Sequence, residues 1–395
     1  MITARTEIRA TEEICQLLQD NYYRIDQPDV QDFLKRCTAD SVPFTFKRSR
    51  AIKNINHRLS LIHSSHLSVY APSETLRIWE NEGSDTGLRS RMIDGELVVT
   101  GTLPESPARR ADLQAGDVVV TINDQAPTSD DDAQSTSGFY KIARGRKVFQ
   151  VSLKLEDLRE DLSPSIVRLT PDTAVLRLPS FLPQYFENET WVPLARELLK
   201  YKNVVVDLRG NAGGSFPAML RALSAFGCDV RKVGELWRTP RGQLKALVEL
   251  PMLDNLDAAA QLQLFESVDT IRLETFAGVS DHACFEGESV VLIDSRTSSV
   301  SEIFANAMLS RPNIKVWGST TAGQVVMARW FSIGSLGGGD YSISIPIAGY
   351  RDENAKEIEQ KGVSPSKDLY YDLETALRGE DSWINTSAKS FARRK

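Results

Sequence analysis

The 395-residue sequence predicts an α/β protein (α+β overall) with a small inserted β-domain and a helical N-terminal segment. Three observations predict this fold class. From about residue 165 onward, short apolar runs typical of buried strands alternate with helical patterns, which indicates a mainly parallel sheet. Residues from about 86 to 155 hold short β-rich runs, and the first 70 residues repeat apolar side chains at helical spacing.

The N-terminal segment contains three helical patterns. The first, TEEICQLLQDNYYRI, places a row of apolar side chains on one face: Ile14, Leu17, Leu18, Tyr22 and Ile25. DVQDFLKRC predicts a shorter second helix and RAIKNINHRLSLIHSSH a third, after which LSVYAP is extended. We therefore expect a helical segment over residues 1–74.

The next region has the character of a compact β-domain. ELVVTGTL and DVVVTIN are strand-like, and SPARRADL between them predicts a short helix with Pro107 in its first turn. KVFQVSLKL alternates as a strand does, whereas the acidic stretch TSDDDAQSTSG is expected to be a loop. We place this domain over residues 75–158.

The remaining residues, 159–395, are expected to form the α/β core. TAVLRLPSF, KNVVVDLRG, SVVLIDS, IKVWGS and DYSISIPI are strand patterns, while TWVPLARELLKY and FPAMLRALSAF are helical. The apolar strands KNVVVDLRG and SVVLIDS are typical of strands buried on both faces.

The bulk composition limits the function classes. A net charge of −6 argues against a nucleic-acid surface, so we expect no nucleic-acid partner. The sequence contains no run of about 18 apolar residues, so we expect no membrane span. The glutamate-rich N-terminus lacks the apolar segment of a signal peptide, which predicts a cytoplasmic protein, or a periplasmic or secreted one if a leader precedes it.

The four cysteines, Cys15, Cys37, Cys228 and Cys284, lie far apart and form no C-x-x-C pair. This spacing does not fit a zinc site, and we do not expect a disulfide framework. No metal or organic cofactor is implied.

The segment DSRTSSVSEIFANAML concentrates hydroxyl groups at the start of a helical pattern: Ser295, Thr297, Ser298, Ser299 and Ser301. Ser299 and Glu302 have the spacing of a capping box. A nucleophile at a helix N-terminus would use the same free N–H groups to stabilise an oxyanion. The residues alone are compatible with both interpretations.

A second segment, VVVDLRGNAGGSF, leads from a buried strand into the glycines Gly210, Gly213 and Gly214. It matches neither the dinucleotide pattern nor the P-loop. Its backbone N–H groups could form an oxyanion hole, or the segment could be only a tight strand-to-helix turn.

A serine nucleophile needs a base, and four histidines are available: His57, His63, His66 and His282. His57 has the position of a surface residue on a helix, and no motif surrounds His282. His63 and His66 lie in LIHSSHLSVY, where a helix gives way to an extended segment, a junction that often exposes side chains to a cleft.

Four segments together resemble the serine peptidases of family S41, the carboxyl-terminal processing and tricorn-type group. VVVDLRGNAGGSF is similar to the family's D-L-R-x-N-x-G-G, SRTSSVSEIFANAM to its nucleophile segment, and KEIEQKGVSPSKDL to its late I-E-G-x-G-V-x-P-D segment. GTLPESPARRADLQAGDVVVTIND resembles a bacterial-type PDZ domain. The resemblance implies a crotonase/ClpP-like catalytic core with an inserted PDZ-like domain.

In register with the family, the nucleophile is Ser299, two positions before the serine of S-E-I. The resemblance implies an oxyanion hole made by the N–H of Val300 together with that of Gly213 or Gly214. The family's lysine, in a G-x-x-T-x-G-K segment, is replaced by Gln324 in GSTTAGQ. A Ser–Lys dyad is therefore not expected, because an amide does not accept a proton near neutral pH.

The tricorn-type branch instead uses a histidine in a segment like L-x-x-S-H, and LIHSSH matches it at His66, with Ser65 beside it. A glutamate before the late G-V-x-P matches Glu359. The resemblance therefore implies that His66 deprotonates Ser299, while Glu359, through Ser65, orients the imidazole.

The resemblance implies a polypeptide substrate whose C-terminus binds the PDZ-like domain at a loop that includes Gly87, Leu88 and Arg89. This domain departs from the consensus at Asp112, so a structural or gating insertion is the alternative. Two other functions stay open: a catalytically inactive peptide-binding protein, and a hydrolase of non-peptide acyl groups. An oligomer is compatible with the sequence.

Overall fold

The computed structural model describes residues 4–37, 48–79, 81–227, 229, 231–239, 248–249, 270–275, 284–336 and 341–392. The helices within these residues are α1 (Ala4–Asn21), α2 (Pro28–Arg36), α3 (Arg48–Leu59), α4 (Pro72–Trp79), α5 (Pro107–Arg110), α6 (Asp132–Ser135), α7 (Asn188–Leu198), α8 (Phe216–Ser224), α9 (Val300–Leu309), α10 (Leu373–Leu377) and α11 (Ser382–Ala392).

The strands within these residues are β1 (Ser68–Tyr70), β2 (Glu82–Asp85), β3 (Leu88–Ile93), β4 (Glu96–Thr102), β5 (Val118–Ile122), β6 (Gly138–Arg144), β7 (Lys147–Leu153), β8 (Glu156–Arg159), β9 (Ser165–Thr170), β10 (Thr173–Arg177), β11 (Asn203–Asp207), β12 (Lys232–Trp237), β13 (Val248–Glu249), β14 (Thr270–Glu274), β15 (Glu288–Ile293), β16 (Ile314–Gly318), β17 (Val326–Ser332), β18 (Ser342–Asp352) and β19 (Lys367–Asp368). The chain divides into two compact units, a larger one of residues 1–72 and 162–368 and a smaller one of residues 73–161 and 369–395.

The larger unit contains the parallel sheet that the apolar strands predict. Its strand order is β19-β16-β15-β11-β10-β9, and every neighbouring pair is parallel except β9 with β10. Helices α8 and α9 pack through buried apolar side chains into the same core as this sheet. The predicted α/β class is therefore confirmed for this unit.

A second sheet in the larger unit runs in the order β1-β18-β12-β14-β13, with β17 paired to β18. Ile14 and Leu18 of α1 share a core with Ile343 and Ile345 of β18. The N-terminal helices are therefore part of the larger unit, whereas the sequence suggested a separate segment over residues 1–74. Their apolar face is covered by β18.

A disulfide joins Cys15 on α1 to Cys37 at the end of α2, with the two Cα atoms 6.1 Å apart. Cys284 is also disulfide-bonded, and Cys228 lies outside the described residues. The expectation of no disulfides was wrong. Sequence spacing does not reveal that the turn after α1 returns α2 alongside it.

The smaller unit is built on an antiparallel sheet in the order β3-β4-β5-β6-β7, with a separate pair of β2 and β8. Leu88, Val99, Tyr140 and Ile142 belong to its core. The stretch expected to be a loop, TSDDDAQSTSG, contains the one-turn helix α6, in which Ala133 is buried.

The last described residues belong to the smaller unit, although the sequence suggested that the core extends to residue 395. The rings of Tyr371 and Trp383 stack with their centroids 4.5 Å apart, and the guanidinium of Arg91 lies 4.5 Å from the Tyr371 ring centroid. Gly116 lies so close to α10 that a Cβ there would be 2.5 Å from the carbonyl oxygen of Leu377. No helix among the described residues is long and apolar enough to cross a membrane.

Substitution of Trp383 should destabilise the smaller unit selectively. The Trp383 side chain is 3% exposed, so Trp383→Ala should lower the free energy of unfolding of this unit by about 3–5 kcal/mol. Tyr370→Ala is the matched control, because Tyr370 is 83% exposed and its loss should change stability by less than about 0.5 kcal/mol. Hydrogen exchange of β3 and β4 in denaturant measures the difference. Equal exchange in the two variants would contradict the assignment of the C-terminal residues to this unit.

Candidate active site

Two neighbouring parallel strands bring the glycine turn and the serine segment to one edge of the sheet. Asp207, the last residue of β11, pairs with Leu292 of β15, so both strands end at the same edge. The N–H of Gly210 then donates to Asp294 Oδ1 at 2.9 Å, and the N–H of Ser298 donates to the carbonyl of Asn211 at 3.0 Å. The two segments that the sequence singled out are therefore held together directly.

Ser299 lies at the turn into α9 with φ +62° and ψ −133°, a conformation that a non-glycine residue rarely adopts. Such a residue costs about 1–3 kcal/mol and persists only where its surroundings hold it. The side chain is half-buried. A serine held in a sharp strand-to-helix turn presents its hydroxyl beside the free N–H groups of the helix start.

Glu302 holds this turn in place. Its buried carboxylate accepts from the N–H of Ser299 at 3.1 Å, which completes the predicted reach-back of the capping box. It also accepts from the N–H groups of Gly323 and Gln324, at 2.7 and 2.8 Å, and from the hydroxyl of Thr321. Burial raises the pKa of the Glu302 carboxyl, and these donors act in the opposite direction. Only the contact with the Ser299 N–H belongs to the capping box. The three contacts of Glu302 with residues 321–324 do not follow from the sequence spacing.

Gly213 packs directly against Ser299. A Cβ at Gly213 would lie 2.6 Å from the Cβ of Ser299, and its φ is +103°, so this position accepts no side chain. The N–H of Gly213 donates to Asn211 Oδ1 at 2.8 Å. In contrast, the N–H groups of Gly214 and Val300 have no acceptor among the described residues. Within the described part of the chain, these two N–H groups are therefore not used by the hydrogen bonds of the fold.

His66 lies in the connection between α3 and β1 with φ +58°. Its Nδ1 is 3.1 Å from the hydroxyl oxygen of Ser65, and the N–H of Ser65 donates to Glu359 Oε1 at 3.0 Å. Burial lowers the pKa of His66 to about 4. The imidazole is therefore neutral at physiological pH, as a general base must be.

Glu359 connects the histidine segment with the segment held by Glu302. Its Oε2 accepts from the N–H of Val325 at 2.6 Å, while Glu302 accepts from the preceding amide, that of Gln324. Two carboxylates therefore accept from consecutive amides, those of Gln324 and Val325, just before β17. Through these amides the structure links Ser299 at one end with Ser65 and His66 at the other.

The other sequence candidates lie elsewhere or have other contacts. The side chain of Gln324 is exposed, and only its backbone joins the Glu302 network. His63 is exposed, and its carbonyl accepts from the side chain of Gln360. His57 belongs to α3, and His282 lies outside the described residues.

The predicted peptide-binding residues Gly87, Leu88 and Arg89 belong to the smaller unit, at the start of β3. Gly87 and Leu88 are buried and Arg89 is half-buried. Within the part of the chain that the structure describes, no group of three or more His, Cys, Asp or Glu side chains could hold a metal ion.

Comparison with known proteins agrees with these two units. Residues 172–368 match the model of peptidase family S41, and residues 98–136 match a PDZ domain. A probable CtpA-like serine protease of Staphylococcus saprophyticus is 21% identical over 384 residues, which cover 92% of this chain and 66% of that protein. The chloroplastic carboxyl-terminal-processing peptidase 3 of Arabidopsis thaliana is 25% identical over 310 residues, which cover 72% of this chain and 52% of that protein. The chain thus spans about half to two thirds of the length of these curated relatives.

Solved structures share the fold at low sequence identity. Mature CPAF complexed with lactacystin superposes with a TM-score of 0.65 at 12% identity and covers 99% of this chain and 98% of that one. The photosystem II D1 C-terminal processing protease gives a TM-score of 0.53 at 18% identity, with 94% and 96% covered. The tricorn protease gives 0.52 at 15% identity over 98% of this chain and 36% of that one. The two family-model matches show that the chain carries a peptidase family S41 domain together with a PDZ domain.

Proposed function

We propose that this protein is a serine-type peptidase that hydrolyses peptide bonds through an acyl-enzyme, with Ser299 as nucleophile and His66 as base. The observation that carries the proposal is the hydrogen-bonded series from Glu359 through Ser65 to His66 Nδ1, in the same unit as Ser299. The serine proteases among its relatives support a peptide substrate.

In the first step, Ser299 Oγ attacks the carbonyl carbon of the scissile peptide bond. His66 Nε2 takes the hydroxyl proton, because Nδ1 already faces Ser65. Collapse of the tetrahedral intermediate breaks the C–N bond, and the imidazolium returns its proton to the leaving amine. Water then attacks the acyl-enzyme with the same base and releases the second product.

Ser65 and Glu359 are positioning residues in this mechanism. The tautomer that lets Nε2 accept a proton carries its hydrogen on Nδ1, and that hydrogen is donated to Ser65 Oγ. Glu359 acts on the backbone of Ser65, since its Oε1 accepts from the Ser65 N–H. The carboxylate therefore holds the residue that holds the ring.

The N–H groups of Val300 and Gly214 are the proposed oxyanion donors. Both lack an acceptor among the described residues, whereas the N–H of Gly213 is donated to Asn211. Of the two glycines that the sequence left open, this arrangement favours Gly214. Gly213 instead provides the space that Ser299 needs.

The absence of a lysine base is compatible with activity. Gln324 cannot accept the serine proton, but its backbone keeps Glu302 in contact with the nucleophile turn. The neutral, half-buried His66 is the base that the site offers in its place.

Active-site labelling tests the nucleophile. A fluorophosphonate probe should label the wild-type protein, and Ser299→Ala should lose at least about 10³-fold in labelling rate. Ser301→Ala is the matched control, because the Ser301 hydroxyl is buried without a hydrogen-bond partner among the described residues. It should label at the wild-type rate. Absence of wild-type labelling, or labelling of Ser299→Ala, would favour a peptide-binding protein without catalysis.

Substitutions along the hydrogen-bonded series should lower kcat in a graded manner. His66→Ala should reduce kcat/KM for a quenched fluorescent peptide by about 10²- to 10⁴-fold, since it removes the general base. Glu359→Gln and Ser65→Ala should cause smaller losses in kcat at nearly unchanged KM, because they only orient the ring. Full turnover in His66→Ala would exclude His66 as the base. An ester substrate run in parallel separates peptide from non-peptide acyl hydrolysis.

The pH dependence follows from the environment of His66. Only the neutral imidazole accepts the serine proton, and burial lowers its pKa to about 4. The rate kcat/KM should therefore stay constant as the pH falls below 6.5, the usual histidine value, and decline only near pH 4. His63→Ala should leave this acid limb in place, because His63 is exposed. An acid limb at or above pH 6.5 in the wild type would contradict a His66 base whose pKa is lowered.

A further inference from the structure

The start of β3 in the PDZ domain has three consecutive N–H groups, and all three are already donated within the domain. The N–H of Thr86 donates to the carbonyl of Gln134 at 3.0 Å, and that of Gly87 to Asp85 Oδ1 at 2.6 Å. The N–H of Leu88 donates to Thr86 Oγ1 at 3.2 Å. A peptide carboxylate captured at this loop would need these same donors.

The carboxylate of Asp85 has the contacts that a bound peptide C-terminus would make. One oxygen accepts from the Gly87 N–H, and Nη1 of Arg89 lies 3.3 Å from both oxygens. The second oxygen accepts from Gln134 Nε2 at 2.5 Å. Asp85 is only 6% exposed, so its charge is satisfied by the domain and not by water.

Arg89, the cation of this loop, is held from a second side. Its Nη2 lies 2.5 Å from Glu160 Oε2, so two carboxylates of the chain neutralise it. A substrate carboxylate would have to displace Asp85 from this cation as well as from the Gly87 N–H. Each displacement leaves a carboxylate of the chain without its donors.

The edge of β3, where an added peptide strand would pair, is covered too. The N–H of Met92 donates to Asp130 Oδ1 at 2.6 Å, and the hydroxyl of Ser90 donates to the carbonyl of Asp130 at 2.8 Å. Asp130 lies just before α6, and the Thr86 hydroxyl donates to the carbonyl of Ala133 on that helix. The segment 130–134 therefore occupies the side of β3 that strand addition requires.

We propose that Asp85 fills the carboxylate-binding site of the PDZ domain and Asp130 covers its strand edge, so that the domain does not bind the free C-terminus of a substrate. Gly87 and Arg89 still bind a carboxylate, and that carboxylate belongs to the chain itself, whereas the Leu88 N–H is donated to Thr86 Oγ1. The inference rests on the PDZ fold and its hydrogen bonds. It is independent of Ser299 and His66.

A binding experiment on the full chain with Ser299→Ala tests the proposal without turnover. The probes are a fluorescein-labelled decapeptide with an apolar C-terminal residue and the same peptide as its C-terminal amide, compared by anisotropy. The acid and the amide should bind equally. In Ser299→Ala/Asp85→Ala/Asp130→Ala, which empties the carboxylate site and removes the side chain that covers the strand edge, the acid should bind at least about tenfold tighter than the amide.

Asp85→Asn is the matched control. Its side-chain oxygen can still accept from the Gly87 N–H, so the loop stays occupied. The acid peptide and the amide peptide should therefore still bind with equal affinity. A tenfold preference for the acid in the parent protein would overturn the proposal. A variant with both Asp85→Ala and Asp130→Ala that is folded by circular dichroism but gains no acid preference would overturn it as well.

If the variant that lacks the Asp85 and Asp130 carboxylates does not fold, hydrogen exchange of residues 85–93 in the parent protein tests whether the peptide site is occupied. The proposal predicts slow exchange of the Gly87 and Met92 amides that is unchanged by saturating acid peptide. Fast exchange that becomes slow when the peptide is added would show an open site and contradict it. A failure of catalysis in Ser299 or His66 variants has no bearing on either readout.

Discussion

The buried carboxylate of Glu302 is the interaction on which the site depends. A charge removed from water costs several kcal/mol unless hydrogen bonds replace its hydration. Glu302 finds four donors, and all of them come from two short segments: the turn at Ser299 and residues 321–324. The same bonds that make the burial tolerable also hold Ser299 in a backbone conformation that it would not adopt alone.

Glu359 repeats this arrangement on the histidine side. It joins the amide of Val325 to the amide of Ser65, so the segment 321–325 just before β17 is held by both Glu302 and Glu359. Carboxylates that accept hydrogen bonds from backbone amides fix the position of those segments, and no long, flexible lysine side chain is needed for it. These contacts involve only the backbone amide at position 324, so they do not depend on whether its side chain is lysine or glutamine.

The motifs indicated the candidate residues that lie within local sequence patterns. The register of S-E-I gave Ser299, and the S-H pair gave His66 with Ser65 beside it. Motifs cannot say which N–H groups a side chain occupies, so the contact of Asn211 with Gly213 and that of Asp85 with Gly87 emerged only from the fold. The disulfide between Cys15 and Cys37 was not predicted for the same reason, because it depends on how α2 packs against α1.

The packing of the C-terminal residues has a consequence for how such proteins can change over evolution. The smaller unit is an insertion after β1, yet Tyr371 and Trp383 complete it from the opposite end of the sequence. A recombination event that exchanged residues 73–161 alone would remove the guanidinium of Arg91 from the Tyr371 ring and the glycine at position 116 against which Leu377 lies. The two pieces can be inherited as a functional module only together, even though more than 200 residues of the peptidase domain lie between them.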